Sequence, residues 1–292
     1  MPSGKRARQQ RRTAAATAPP PVRSKGVGGA RTRQASPRAL AIAGVVVALA
    51  LIAIVLGVVL TKGTGSGGGG GTVSATDMQG LGTTGSATSP SALQGATEAN
   101  DLFKGIPQKG LQLGDPNAKV EMEMFIDVQC PFCQDYETTK LPTIVQKYIR
   151  SGKVQLQLRP WAFIGGKGSQ SFSGRLGLIA ATFQSKGFEY AKVLYDNQRT
   201  ENTGWLDGRM MASIAASVTG LNLAQWRADT NSSAPQDIAD RVDKLATKLS
   251  LVGTPTVLVG PTGGKLSTVG TPGQEPTLQE TEQALDGALA SS

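Results

Sequence analysis

Hydrophobic positions fall into three regimes along the 292-residue chain. From Ala39 to Leu60 the sequence reads ALAIAGVVVALALIAIVLGVVL, 22 residues without a charge or a strongly polar side chain. As a helix this run is about 33 Å long, enough to cross a hydrocarbon core of about 30 Å. A buried helix of a soluble domain is rarely so uniformly apolar. A cleavable signal peptide has a shorter apolar run, about 7 to 15 residues, and an A-x-A-like exit. Here the exit is TKGTGSG, so the pattern predicts a retained single transmembrane helix over 39–60.

Beyond residue 118 the pattern becomes periodic. Ala118 to Val128, AKVEMEMFIDV, places Val120, Met122, Met124 and Ile126 on one face of a strand. A helix is predicted from Cys130–Pro131 toward Arg150, kinked at Pro142 and stopped at Gly152. Lys153 to Arg159, KVQLQLR, alternates as a second strand. From Ser169 to Ser250 the period is helical, broken at Gly187, Thr203–Gly204, Gly220 and Ser232–Ser233. Thr256–Val259 and Lys265–Val269 predict a strand pair around the turn GPTGG. A last helix after Pro276 presents Leu278, Ala284, Leu285 and Leu289 to a core. The class is mixed α/β.

The third regime has no period. Residues 1–38 are basic and rich in Pro, Ala and Gly, a disordered composition. Residues 61–102 predict a flexible linker: GTGSGGGGG at 63–71 holds seven glycines in nine residues. Forty such residues reach about 35 Å root-mean-square. All 14 aromatic residues follow residue 102, beginning with Phe103. The folded domain is therefore expected over 103–292, one sizeable core.

Charge sharpens this division. The net charge of +9 resolves into ten Lys or Arg and no acid over 1–38, against 20 basic and 21 acidic residues elsewhere. Only Lys62 closely follows the apolar run. The positive-inside rule places the N-terminus in the cytoplasm and residues 61–292 outside, with the basic tail against anionic lipid. No nucleic-acid partner is expected, because the folded part is nearly neutral and no aromatics are interleaved with the basic tail. The chain has no histidine, which excludes Ser-His-Asp and Cys-His catalysis and His-ligated zinc.

Both cysteines stand in one motif, Cys130-Pro131-Phe132-Cys133, after a predicted strand and at a predicted helix start. Pro131 suits the first helical turn. Cys130 then meets free backbone N–H groups and the helix dipole, which stabilise the reactive thiolate. The second thiol resolves a mixed disulfide. Two cysteines without histidine cannot complete a tetrahedral zinc site in one chain. A purely structural disulfide is possible outside the cytoplasm, but so short a ring removes little chain entropy. No metal or organic cofactor is expected; the redox centre would be the Cys130–Cys133 pair.

These residues carry a resemblance. FIDVQCPFC at 125–133, the helix with Pro142, QLRPWAFIG at 157–165 and VGTPTVLVG at 252–260 resemble the DsbA-like branch of the thioredoxin superfamily, over roughly Lys109 to Ala290. The resemblance implies a thioredoxin-like fold with a helical domain inserted at about 168–250, and thiol–disulfide oxidoreductase activity. It implies a cis bond at Pro255, with the backbone of Thr254 pairing with substrate. It also implies partners: exported, unfolded or reduced polypeptides, and a DsbB-like or vitamin K epoxide reductase-like membrane reoxidant. A reductase or isomerase of the same fold, and a tethered binding module with a structural disulfide, are the alternatives. Phe132 stands where DsbA itself has a histidine, so a less depressed Cys130 pKa is expected. Met124 stands where many members have a buried acid. Asp127 is then the first candidate for proton relay to Cys133, and Glu123 the second.

Overall fold

The computed structural model describes residues 72–166 and 168–292. The predicted cytoplasmic tail, the span 39–60 and the glycine run 63–71 lie outside these residues. Among the described residues no helix is long and apolar enough to cross a membrane.

The order of elements is α1 (Ala96–Phe103), β1 (Gln108–Lys109), β2 (Gln112–Leu113), β3 (Val120–Ile126), α2 (Pro131–Asp135), α3 (Leu141–Ile144), β4 (Val154–Pro160), α4 (Gln170–Thr182), α5 (Gly187–Asp196), α6 (Gly208–Ala216), α7 (Leu223–Thr230), α8 (Ala234–Lys248), β5 (Thr256–Pro261), β6 (Ser267–Thr268) and α9 (Leu278–Ala290). The strands form one sheet in the order β1-β2-β4-β3-β5-β6. Only β3 and β4 are parallel, with Met122 opposite Leu156 and Met124 opposite Leu158.

Alternation along β3 decides which face goes where. Val120, Met122, Met124 and Ile126 join Leu156, Leu158, Val257 and Val259 in the main core, with Cys133, Leu141, Ile144 and the α9 residue Leu285. Phe125, on the other face, packs with Val242 and Ala246 of α8 and Leu258 of β5. The α4–α8 block is the inserted helical domain, and α4 lies against α5, α7 and α8.

The helix expected from Cys130 to Arg150 is continuous in path but not in pitch. Wide π-type turns at Tyr136–Lys140 and Val145–Ile149 flank α3, which carries Pro142. A proline has no N–H for the preceding turn, and widening that turn accommodates the missing bond. Gly152 ends the helix at φ +72°, with its N–H on the Ile149 carbonyl and that of Lys153 on Tyr148, a Schellman closure. The last helix opens with a Thr277–Glu280 capping box.

One expectation fails. A flexible linker does not extend through residue 102, because residues 72–102 are folded onto the helical domain. Val73 is fully buried, and its N–H and carbonyl both bond the Asn231 side chain at 2.9 Å. Gly85 N donates to Leu221 O and Ser86 N to Ala216 O, both at 2.8 Å, while Gly220 N and Leu223 N donate back to Gly85 O and Thr83 O. Ala96 and Ala99 of α1 are buried, and α1 packs on α5. The strap needs no aromatic side chains of its own. Its main chain is satisfied by loops already in place, and small side chains fit the close approach. The domain accordingly begins before Phe103.

Candidate active site

Cys130 caps α2, and Pro131 is its first residue. The Cys130 sulfur is nearly buried, with its thiol donating to Thr254 O at 3.2 Å. The Thr254–Pro255 peptide bond is cis. Cys133 is wholly buried on the inner side of α2, and its sulfur accepts the Asp127 N–H at 3.5 Å. Phe132 points outward and is 59% exposed. The structure therefore brings Cys130, Cys133, Thr254 and Pro255 together from two segments about 120 residues apart in sequence.

The two thiols sit in opposite electrostatic conditions. The Cys130 pKa is lowered to about 7, first by a hydrogen bond from Cys133, against burial, with further donation from Thr254 and from the Cys133 and Phe132 backbone. The Thr254 hydroxyl has no other partner among the described residues, so it is free to serve a thiolate. Burial first, then the neighbouring Cys130, push the Cys133 thiol well up. One sulfur ionises readily, and the other holds its proton.

Asp127 is close to this pair, but its carboxylate is fully committed. Oδ1 accepts from Gln129 N at 2.8 Å and Ser171 Oγ at 2.6 Å, and Oδ2 accepts from Ile164 N at 2.7 Å. Its carbonyl accepts from Cys130 N at 3.0 Å and the Tyr195 hydroxyl at 2.9 Å. Asp127 thus ties the motif to the loop after β4 and to α4 and α5. Its contact with Cys133 is through the main chain. Burial raises its pKa despite these donors.

Glu123 does not belong to the site, which corrects the expectation of a relay there. Its side chain lies on the other face of β3 and pairs with Arg159, whose Nε donates at 3.0 Å. It lines a groove with Leu245, Leu258 and Leu266, beneath α8 rather than beside α2. Period two along the strand makes this unavoidable while Met122 and Met124 face the cysteines.

Sequence reasoning missed several supporting residues. Gln129 is fully buried; its amide donates to Ser171 Oγ at 2.9 Å and its Oε1 accepts from Asn202 N at 3.1 Å. Ser171 and Tyr195 come from the inserted helices, and no local pattern marks them. Glu137, buried four residues after Cys133, carried a readable signal: an acid on the apolar side of a predicted helix. Among the described residues no group of three or more His, Cys, Asp or Glu is placed to hold a metal.

Comparison with known proteins agrees with this geometry. A family model described as thioredoxin matches residues 107–267, more than half of the chain. A probable disulfide bond formation protein D of Bacillus cereus is 28% identical over 166 residues, covering 56% of this chain and 74% of the relative. Oxidised BdbD of Bacillus subtilis superposes with a TM-score of 0.53 at 18% identity, covering 62% of this chain and 93% of that one. Wolbachia pipientis alpha-DsbA1 superposes at 0.53 and 20%, covering 66% and 96%. With a thiol of lowered pKa, a buried thiol of raised pKa and a cis-proline loop converging in such a fold, the chain belongs to the thioredoxin family, as a DsbA-like thiol–disulfide oxidoreductase.

Proposed function

We propose that the protein is a membrane-anchored, extracytoplasmic oxidant that introduces disulfides into exported polypeptides. The observation that carries the chemistry is the unequal pair: a Cys130 thiol lowered to about 7 at the mouth, beside Thr254 O, and a buried Cys133 held protonated. The anchor rests on the apolar run 39–60 and its basic leader.

In the oxidising direction a substrate thiolate attacks Cys130 Sγ of the disulfide. The S–S bond breaks, a mixed disulfide forms, and the electron pair goes to Cys133 Sγ, which takes up a proton. A second substrate thiolate then attacks the substrate sulfur of the mixed disulfide and releases Cys130 as a thiolate. That thiolate is the better leaving group because its pKa is lower. Thr254 presents a carbonyl toward Cys130, so an extended substrate segment can pair there as an added strand. The disulfide is regenerated by a DsbB-like or vitamin K epoxide reductase-like partner in the same membrane. A tether favours that encounter by raising local concentration.

The test is an oxidative refolding assay on a reduced substrate, together with a substrate trap. Cys130→Ala should abolish activity. Cys133→Ala should accumulate mixed disulfides with exported proteins. Full activity in Cys130→Ala would overturn the enzymatic reading. A reduction potential below about −270 mV, the thioredoxin value, would turn the assignment from oxidant to reductant.

A further inference from the structure

Tyr195 stands in the last turn of α5, within the inserted helical domain, and the exchange steps above give it no task. Its side chain is fully buried. Its two polar groups reach the two flanks of the CPFC motif. The hydroxyl donates to Asp127 O at 2.9 Å, three residues before Cys130. The carbonyl accepts from Gln134 Nε2 at 2.9 Å, one residue after Cys133. Gln134 N in turn donates to Cys130 O at 3.0 Å, closing the first turn around the pair. One residue of the insert thus holds the chain on both sides of the cysteines.

What it holds on the sheet side is the main chain that meets Cys133. Asp127 N–H is directed at Cys133 Sγ, with N and S 3.5 Å apart. The peptide group carrying that N–H is planar, so anchors on either side of it set its direction. Before it, Ile126 O accepts from Trp161 N at 2.7 Å. After it, Asp127 O accepts from the Tyr195 hydroxyl and from Cys130 N. The bond at Ile126 O also polarises the same peptide group and strengthens its N–H as a donor. Burial, then the nearby Cys133, push the Tyr195 hydroxyl well up, so it keeps the proton it donates.

We propose that Tyr195 is a positioning residue for the dithiol: through Asp127 it keeps a main-chain donor aimed at Cys133 Sγ and so favours the reduced pair. Attack of a thiolate on Cys130 Sγ breaks the S–S bond, and the electron pair arrives on Cys133 Sγ. With glutathione as reductant, two glutathione thiols become one glutathione disulfide, and two electrons and two protons pass to the pair. The proton on Cys130 is lost again above about 7. A thiol or thiolate sulfur is more negative than a disulfide sulfur and accepts a hydrogen bond better. Hydrogen bonds weaken steeply with misalignment, so a loosened Asp127 costs the reduced form more than the oxidised one. The proposal rests on the dithiol-exchange reading and deepens it.

The test is the equilibrium of full-length Tyr195→Phe with reduced and oxidised glutathione at pH 7. Phenylalanine fills the same space and removes only the hydroxyl. The equilibrium constant for oxidation of glutathione should fall at least threefold, a potential about 14 mV lower. A hydroxyl of purely structural value would destabilise both redox forms alike and leave the constant in place. A fall of less than threefold, or a rise, therefore overturns the proposal. Tyr190→Phe is the control: it removes another buried hydroxyl of α5, one that bonds Met211 O at 3.4 Å. It should leave the constant unchanged, and an equal fall there would also overturn the proposal. If Tyr195→Phe does not fold, Gln134→Met decides, since it frees the half-buried flank that Tyr195 O holds. It should lower the constant as well, and an unmoved constant overturns the proposal. The glutathione equilibrium needs no exported substrate. A shifted constant in a protein that fails the refolding assay counts against the oxidant reading alone, and an active protein with an unmoved constant counts against Tyr195 alone.

Discussion

Cys130 is a moderately strong thiol acid because donors surround its sulfur while burial opposes them. Thiolate absorbance should titrate with a midpoint near 7, well above the value near 3.5 of DsbA. With Phe132 in place of a histidine, no side-chain cation adds to those donors. By the same acidity the reduction potential should lie nearer that of thioredoxin, about −270 mV, than that of DsbA, about −120 mV, and equilibration against a glutathione buffer measures it. The sign of the pH effect on stability is fixed by the depressed pKa. The thiolate stabilises the reduced fold above the unfolded thiol value near 9, and the gain is lost as pH falls through about 7. The reduced domain should therefore gain on the order of 1–2 kcal/mol between pH 7 and 9, after discounting for screening at the exposed mouth, and the oxidised domain should lack this term. Denaturant titrations of both forms check it. At Ser171 the loss is structural. Ser171→Ala leaves the buried Asp127 carboxylate one donor short and should cost about 1.5–3 kcal/mol, read as a lowered Tm. Glu123→Gln should leave exchange rates within about twofold, since its partner Arg159 lies across the sheet from the thiols.

At the scale of elements, local pattern and tertiary demand coincide in some places and part in others. Strand β3, its neighbours β4 and β5, and the breaks between inserted helices were legible, because alternation and glycine or serine breaks are local signals. Gly204 and Gly220 do adopt positive φ, at +83° and +82°. The β1–β2 hairpin was not legible: two-residue strands carry no period, and they form because β4 offers an open edge. The strap was read wrongly for a related reason. Its Gly85 makes the point. A Cβ there would lie 2.2 Å from Val218 O and 2.6 Å from Ala215 O, both main-chain atoms that cannot swing aside. Gly85→Ala should lift the strap, seen as lost hydrogen-exchange protection at Gly85 and Ser86 and in the α6–α7 connection, with a Tm several degrees lower. Retained protection would show that the close approach is not required.

For the whole molecule, the strap decides what counts as the domain. A chain starting at Thr72 should fold and exchange thiols in solution, whereas one starting at Phe103 uncovers the surfaces around Ser217 and Asn231 and should unfold at lower temperature. Thermal unfolding of the two truncations separates these outcomes. Removal of residues 39–60 should release active protein from the membrane fraction; continued sedimentation with membranes would remove the anchor reading.

What the amino-acid order determines by itself here is local: the apolar run, the strand period, the turn breaks and the CPFC pair at a helix start. Each follows from interactions within a few residues. Thr254 and Pro255 were reached from the sequence only through family resemblance. Their position beside Cys130, the use of Asp127 as a clamp, the exclusion of Glu123, the folding of residues 72–102 and the enclosure of Glu137 all come from packing. They depend on which surfaces meet when distant segments close over one core, and on the desolvation that follows. A side chain's facing is written in the chain's periodicity, but its partners and its acidity are set by what covers it.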